Sequence, residues 1–157
     1  MTPSMTPKEY LNQAYKIERR INIIGAKVSK LRSQLEYKGI SYDGSGASHG
    51  TADSDGMSCT IADIADYERR QRELADVLIA KRFEIESVID SVPNAAQREV
   101  LERRYLLYQR WESRFDERTG EYVKGIAEEM GFSRRRIFQI HGEALKSIAL
   151  NCIELHL

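Results

Sequence analysis

Long apolar runs are missing from this chain. Nowhere do the roughly 18 consecutive apolar residues needed to cross a bilayer occur, and no basic start leads into a greasy stretch at the N-terminus, so neither a membrane span nor a secretory signal is expected. Cysteine is scarce. Cys59 and Cys152 are the only two, far apart and in no Cys-x-x-Cys pair, which leaves a zinc site or disulfide framework without support and fits two reduced thiols in a cytoplasmic protein. An excess of one charge is absent as well: 24 Lys and Arg stand against 24 Asp and Glu. Any affinity for nucleic acid must therefore come from a local patch rather than from the field of the whole molecule. The carboxylates are scattered along polar faces, with no Ser-His-Asp, Cys-His or metal-spaced grouping beside them. No enzyme activity, cofactor or metal is expected.

What is present points to helix. The 157 residues allow one domain and a second small module, and 31% charged residues with a mean hydropathy of −0.51 suit long helices with solvated faces. Of the three prolines, Pro3 and Pro7 stand at the start and Pro93 in the middle, leaving two long stretches free of helix breakers. Thr6-Pro7-Lys8-Glu9 is a capping box that opens the first helix. Tyr10, Ala14, Ile17, Ile21, Ile24, Val28, Leu31 and Leu35 follow in alternating steps of four and three, a heptad seam. From Pro7 to Lys38 this helix would measure roughly 48 Å and needs a partner along its seam.

Residues 39–58 are rich in Gly, Ser and Asp and read as a flexible loop without a phosphate-binding pattern. A second helix is expected to begin after Ser58 or Thr60, with Asp63 helping its cap, and to run to about Ser91. Its stripe is Ile64, Tyr67, Leu74, Leu78, Ile85, Val88 and Val92, interrupted by Gln71 and Lys81. Residues 6–92 thus read as a long, coiled-coil-like antiparallel helical hairpin. Two thin seams bury little, so a homo-oligomeric bundle is one reading and a monomeric hairpin supported by the other domain is the alternative.

Beyond Pro93 the units shorten. Asn94 to Gln97 is a capping signature opening a helix over Ala95–Tyr108, with Val100, Leu101, Tyr105 and Tyr108 for its inner face. The stretch Val123 to Ile140 reads as a helix-turn-helix: Ala127 is small where two helices would cross, Gly131 tolerates positive φ in the turn, and Ser133 can cap the second helix. Ile126, Met130, Ile137 and Ile140 supply the shared core. On the second helix Ile140, His141, Ala144 and Ile148 gather on the side of Ile137, and His141 reads as a core histidine. Arg135, Gln139, Gly142 and Lys146 face the opposite way, flanked by Arg134, Arg136 and Phe138. Arginine can read guanine and glutamine adenine with paired hydrogen bonds, so this face carries the chemistry of a double-stranded DNA reader.

Gln97-Arg98-Glu99-Val100-Leu101-Glu102-Arg103-Arg104-Tyr105-Leu106, followed by Ile126 to Leu145, resembles the fourth region of bacterial sigma factors. The chain is more narrowly similar to small phage and prophage proteins that join a long N-terminal coiled region to such a module, late-gene activators of the RinA and ArpU kind among them. Lys8 to Ala14 also resembles their first helix. The resemblance implies an all-α protein of phage transcription control in the cytoplasm of a bacterial host cell. It makes residues 93–150 the DNA-binding domain, with Arg134, Arg135, Arg136 and Gln139 in its DNA-facing turn, and gives the helix from Ala95 a supporting role with RNA polymerase as a further partner.

The chain departs from that family pattern at Gln109 to Tyr122, which intervene before the helix-turn-helix. Trp111, Ser113 and Phe115 alternate with charged residues, and Thr119-Gly120 offers a turn, so a small β-hairpin acting as a wing is one reading. The other prolongs the preceding helix, because Arg110, Arg114 and Arg118 recur every four residues. In either case Trp111 and Phe115 are expected on the core and Arg118 near phosphate. Three functions follow: a sequence-specific regulator of phage late-gene transcription, a small terminase-like packaging protein, or a polymerase-binding module that leaves DNA alone.

Overall fold

The computed structural model describes the backbone of residues 5–40 and 52–154 and the side chains of residues 5–37 and 56–149. The described residues are mostly helical and include one two-stranded antiparallel sheet. Among the described residues no helix is long and apolar enough to cross a membrane.

The first helix, α1, spans Pro7–Leu11 and starts with the expected capping box: Thr6 Oγ1 accepts from Glu9 N at 3.3 Å, and Glu9 Oε2 accepts from Thr6 N at 2.9 Å. The bond from Thr6 N, with a second that the Thr6 hydroxyl donates to Glu9 Oε2 at 2.8 Å, holds the Glu9 carboxyl below its ordinary pKa. The helix does not run unbroken to Lys38. It pauses at Asn12, whose Nδ2 donates to Lys8 O at 2.9 Å, and resumes as α2, Gln13–Ile40. Asparagine offers the backbone carbonyl a competing donor, which explains the interruption. The third helix, α3, covers Ala52–Asp90 and so begins well before Ser58. Gly39, Ile40 and residues 52–58 are helical rather than loop, Asp63 lies inside the helix instead of capping it, and residues 41–51 fall outside the described part. One internal glycine, Gly56, costs a helix only about 1 kcal/mol, a penalty that extension of a long helix tolerates.

Two compact units divide the chain, one made of Met1–Lys16 with Ile79–Leu157, the other of Ile17–Leu78. This division differs from the expected boundary after residue 92. In the smaller unit Ile24, Val28 and Ile64 are buried, while Ile21, Leu31, Leu35, Tyr67 and Leu74 are half-buried. Gln71 Nε2 donates to Ile21 O at 3.4 Å, Lys27 Nζ lies 5.5 Å from the centre of the Tyr67 ring, and Arg32 pairs with Glu68.

In the larger unit, α4 (Ala95–Leu101) is capped by Asn94, whose Oδ1 accepts from Gln97 N at 3.1 Å. It does not reach Tyr108 as an α-helix. The last turn, Glu102–Leu106, widens into a π-helical turn, and Tyr108 then takes a left-handed φ of 54°, a backbone state that is uncommon outside glycine. The inserted segment adopts the hairpin reading rather than the helical one: β1 (Arg114–Asp116) pairs with β2 (Glu121–Val123), Phe115 opposite Tyr122. Phe115 is 61% exposed, contrary to its expected place on the core, because it sits in a two-stranded ribbon with no covering layer. Trp111, just before the strand, does pack against the core.

Two further helices, α5 (Ile126–Glu129) and α6 (Arg134–Glu154), are joined by a turn in which Gly131 has φ 68°. Ser133 Oγ accepts from Arg136 N at 3.2 Å, as a cap should. Val100, Ile126, Ile137 and Ile140 form a core cluster, with Trp111, Ala127, Met130 and Phe132 packed around it. Residues just outside α5 satisfy its first amides: Ile126 N donates to Arg110 O at 2.9 Å, Ala127 N to Trp111 O at 3.3 Å, and Gly125 N to Ser113 Oγ at 2.9 Å. The inserted segment is thus the N-terminal support of α5. Against α6 pack α1 and α4 as well, and Leu11, Ala14, Ile85, Ile89, Val92 and Leu101 are buried in the same unit.

Candidate nucleic-acid interface

The long helix α6 has two unlike sides. Ile137, Ile140, Ala144 and Ile148 are buried, so the helix cannot rotate without exposing them. Arg134, Arg135, Arg136, Gln139 and Lys146 are exposed on the rest of its surface, and Phe138 is 40% exposed. The structure thereby brings Ser133, Arg134, Arg135, Arg136, Phe138 and Gln139 together in the first two turns. Lys146 lies two turns farther on, about 10 Å along the axis from Gln139 at 1.5 Å per residue. Arg118 sits in the β1–β2 turn, where its own amide donates to Asp116 Oδ1 at 3.0 Å, and none of its described interactions involves α6.

The polar side chains are unequally engaged. Among the described residues Arg135 has no hydrogen-bond or ion-pair partner. Arg136 Nη1 donates to Gln139 Oε1 at 3.3 Å, which orients the Gln139 amide. Arg134 is drawn back toward the inserted segment, with its Nη1 at 2.6 Å from Glu112 Oε1 and its guanidinium 5.8 Å from the Phe138 ring centre. Both partners of that ion pair are mostly exposed, so it contributes at most about 1 kcal/mol and yields readily to a better anion.

Behind this face is a tight aromatic group. Phe138 and Trp111 have ring centres 5.1 Å apart, Trp111 meets His141 edge-on at 4.9 Å, and the Arg104 guanidinium lies 5.2 Å over Trp111. Together they fix the first turns of α6 against the segment that supports α5. Against known proteins, the chain matches no protein-family model, no curated protein and no solved structure.

His141 takes the expected inner position, and its Nε2 lies 2.9 Å from the Tyr105 hydroxyl. Burial foremost, then the charges of Lys8 and Arg104, lower its pKa to about 4. Unfolding returns the imidazole toward 6.5, where it binds protons more readily than in the fold. Its contribution to stability is therefore complete above pH 6.5 and lost as pH falls from 6.5 toward 4. Thermal melts across that window should show a falling Tm, and His141→Gln should flatten the fall. An unchanged slope in the variant would assign the effect to other groups.

A second concentration of charge lies beside the α6 face. Asn12, Tyr15, Arg104, Tyr108, Arg110, Trp111, Glu112, Ser113, Arg114, Arg134 and Phe138 line an open cleft of about 650 Å³, all within the larger unit. The four-residue spacing of Arg110, Arg114 and Arg118 was the only sign of it in the sequence. The structure divides that set, placing Arg110 and Arg114 on the cleft and Arg118 apart from it. Arg104, Tyr108 and Tyr15 carried no sign at all: Arg104 lies in the π turn, Tyr108 has the left-handed backbone, and Tyr15 comes from the distant α2.

Proposed function

We propose that this chain is a sequence-specific double-stranded-DNA-binding regulator of phage late-gene transcription in a bacterial cell, with α5, the Gly131 turn and α6 as its helix-turn-helix. The observation that carries the reading is the exposed Arg135 and Gln139 pair, one turn apart on α6, held outward by the buried Ile137 and Ile140 behind it. Side chains able to form paired hydrogen bonds, on a helix whose rotation is locked, are what base reading in the major groove requires. The neutral net charge agrees, since random duplex should be bound weakly and specificity should rest on few contacts. The likeness of Gln97–Leu106 and Ile126–Leu145 to sigma region four extends the proposal to RNA polymerase as a partner, on the side of α4.

Binding isotherms on a selected and a scrambled duplex test it. Arg135→Ala and Gln139→Ala should each cost about 1 to 3 kcal/mol on the selected site and blur the preference at one base pair, with melting unchanged because both side chains are exposed. Equal affinity of variants and parent would remove α6 as the reader. The polymerase-binding module would then be favoured, and packaging activity would favour the terminase-like reading.

The α2 and α3 segments serve in this proposal as an antiparallel hairpin that joins copies of the chain. Support comes from Ile21, Leu31 and Leu35, which are only partly buried on the seam, and from Ile23, Ile61 and Val77, which are at least half exposed. Ile21→Asp with Val28→Asp should dissociate the oligomer by placing charge in its interface. A monomeric mass for the parent at micromolar concentration, measured by light scattering, would leave the hairpin as an intrachain support.

A further inference from the structure

The cleft beside α6 concentrates more positive charge than a neutral chain requires. Four guanidiniums, from Arg104, Arg110, Arg114 and Arg134, face one carboxylate, Glu112. Arg104 is committed, donating to Gln109 O at 3.1 Å and lying over Trp111. Arg134 is held by Glu112 at 2.6 Å. The side chains of Arg110 and Arg114 are exposed and, among the described residues, have no hydrogen-bond or ion-pair partner. Free guanidiniums lining one cleft suit a phosphate.

Phosphate alone does not explain the rings. Tyr15 and Phe138 line the same cleft and are 46% and 40% exposed. Tyr15 is held edge-on against Tyr108 at 5.2 Å and Phe138 against Trp111, so both present exposed area at fixed positions. Cationic grooves floored by aromatic faces bind the backbone and the unpaired bases of a single strand, whereas bases stacked inside a duplex cannot reach such rings. The volume, about 650 Å³, is within the range of sites that hold a molecule of nucleotide size.

We infer that this cleft binds a nucleotide unit of single-stranded DNA, its phosphate between Arg110 and Arg114 and its base against Phe138 and Tyr15. Glu112 is the built-in competitor: its carboxylate occupies Arg134 until a phosphate displaces it. The inference rests on the proposed function for the source of the nucleotide, because Arg134 and Phe138 belong both to the cleft and to the first turn of α6. The ligand chemistry stands on the cleft alone.

The test uses the full chain and its one tryptophan, Trp111, whose emission reports on the cleft. Decathymidylate should quench it saturably, thymidine monophosphate should do so more weakly, and a closed duplex of random sequence should leave it unchanged. Arg110→Ala and Arg114→Ala should each raise the Kd for decathymidylate about tenfold, while Glu112→Gln should lower it several-fold by freeing Arg134. This opposite sign is a result that loss of structure does not produce. Arg135→Ala and Gln139→Ala should leave decathymidylate binding intact, so failure of duplex reading and failure of the cleft are separately visible. Absence of quenching by decathymidylate, or a Kd that none of the three cleft variants moves, would overturn the inference. Thymidine monophosphate binding as tightly as decathymidylate would overturn the strand as the source, and equal quenching by duplex would overturn the base contact.

Discussion

Gly125→Ala is expected to unfold the larger unit at temperatures where the parent is intact. Gly125 is buried where the inserted segment crosses the start of α5, and a methyl group built there would lie 2.6 Å from Ser113 N and 2.7 Å from Trp111 O, closer still to the carbonyl carbon of Glu112. These are backbone atoms, so no rotamer change can make room. Relief requires separating the two segments, and separation breaks the bonds from Ile126 N to Arg110 O, from Ala127 N to Trp111 O and from Gly125 N to Ser113 Oγ. A cost of roughly 3 kcal/mol or more follows from overpacking with loss of the helix cap. Gly142→Ala is the internal control. Nothing lies within 4 Å of its added methyl, and alanine in a helix interior should stabilise by up to about 1 kcal/mol. Circular-dichroism melts of both variants should therefore move in opposite directions. A Gly125→Ala protein that melts with the parent would mean that the crossing is looser than described.

Leu11→Ala should weaken the same unit, although Leu11 is more than 100 positions before α6 in the sequence. Leu11 is fully buried at the end of α1, and α1 packs on α6. Removal of a fully buried leucine to Ala costs about 2 to 5 kcal/mol, depending on how far the site collapses. Were α1 merely the start of a separate helical hairpin, the loss would leave α6 and its surroundings intact. Here hydrogen exchange of the amides around Ile137 and Ile140 should accelerate by a factor of 10 or more, since each 1.4 kcal/mol is tenfold. Unaltered protection at those amides would place α1 outside the unit that stabilises α6. Duplex binding should weaken only where the melt shows that unfolded chain is populated.

Local chemistry was legible in the sequence where the interaction is local. Thr6 with Glu9, Asn94 with Gln97 and Ser133 with Arg136 are caps three residues apart, and each forms as its spacing implies. The inner face of α6 was readable from period alone, and Ile137, Ile140, Ala144 and Ile148 are all buried. Gly131 was legible because only a residue without a side chain takes φ 68° there at little cost. The readings that moved depended on competition between near-equal alternatives. Helix against loop at Gly39 and over residues 52–58 turned on the modest cost of internal glycine, and helix against hairpin at Gln109 to Tyr122 turned on contacts that no four-residue spacing records.

The sequence by itself determined the helical character, the caps, the turn at Gly131 and which side of α6 is apolar, because each depends on residues within a turn or two of one another. Only the tertiary structure decided that Leu11 belongs with α6, that the inserted segment caps α5 across Gly125, and that Arg104, Arg110, Arg114 and Arg134 meet around Tyr15, Trp111 and Phe138 in one cleft. Arg104 lies in a π turn, and Arg114 lies in the two-stranded ribbon. The energies of these juxtapositions come from burial and close approach between segments distant in the chain, and a period or a spacing carries no record of such distances.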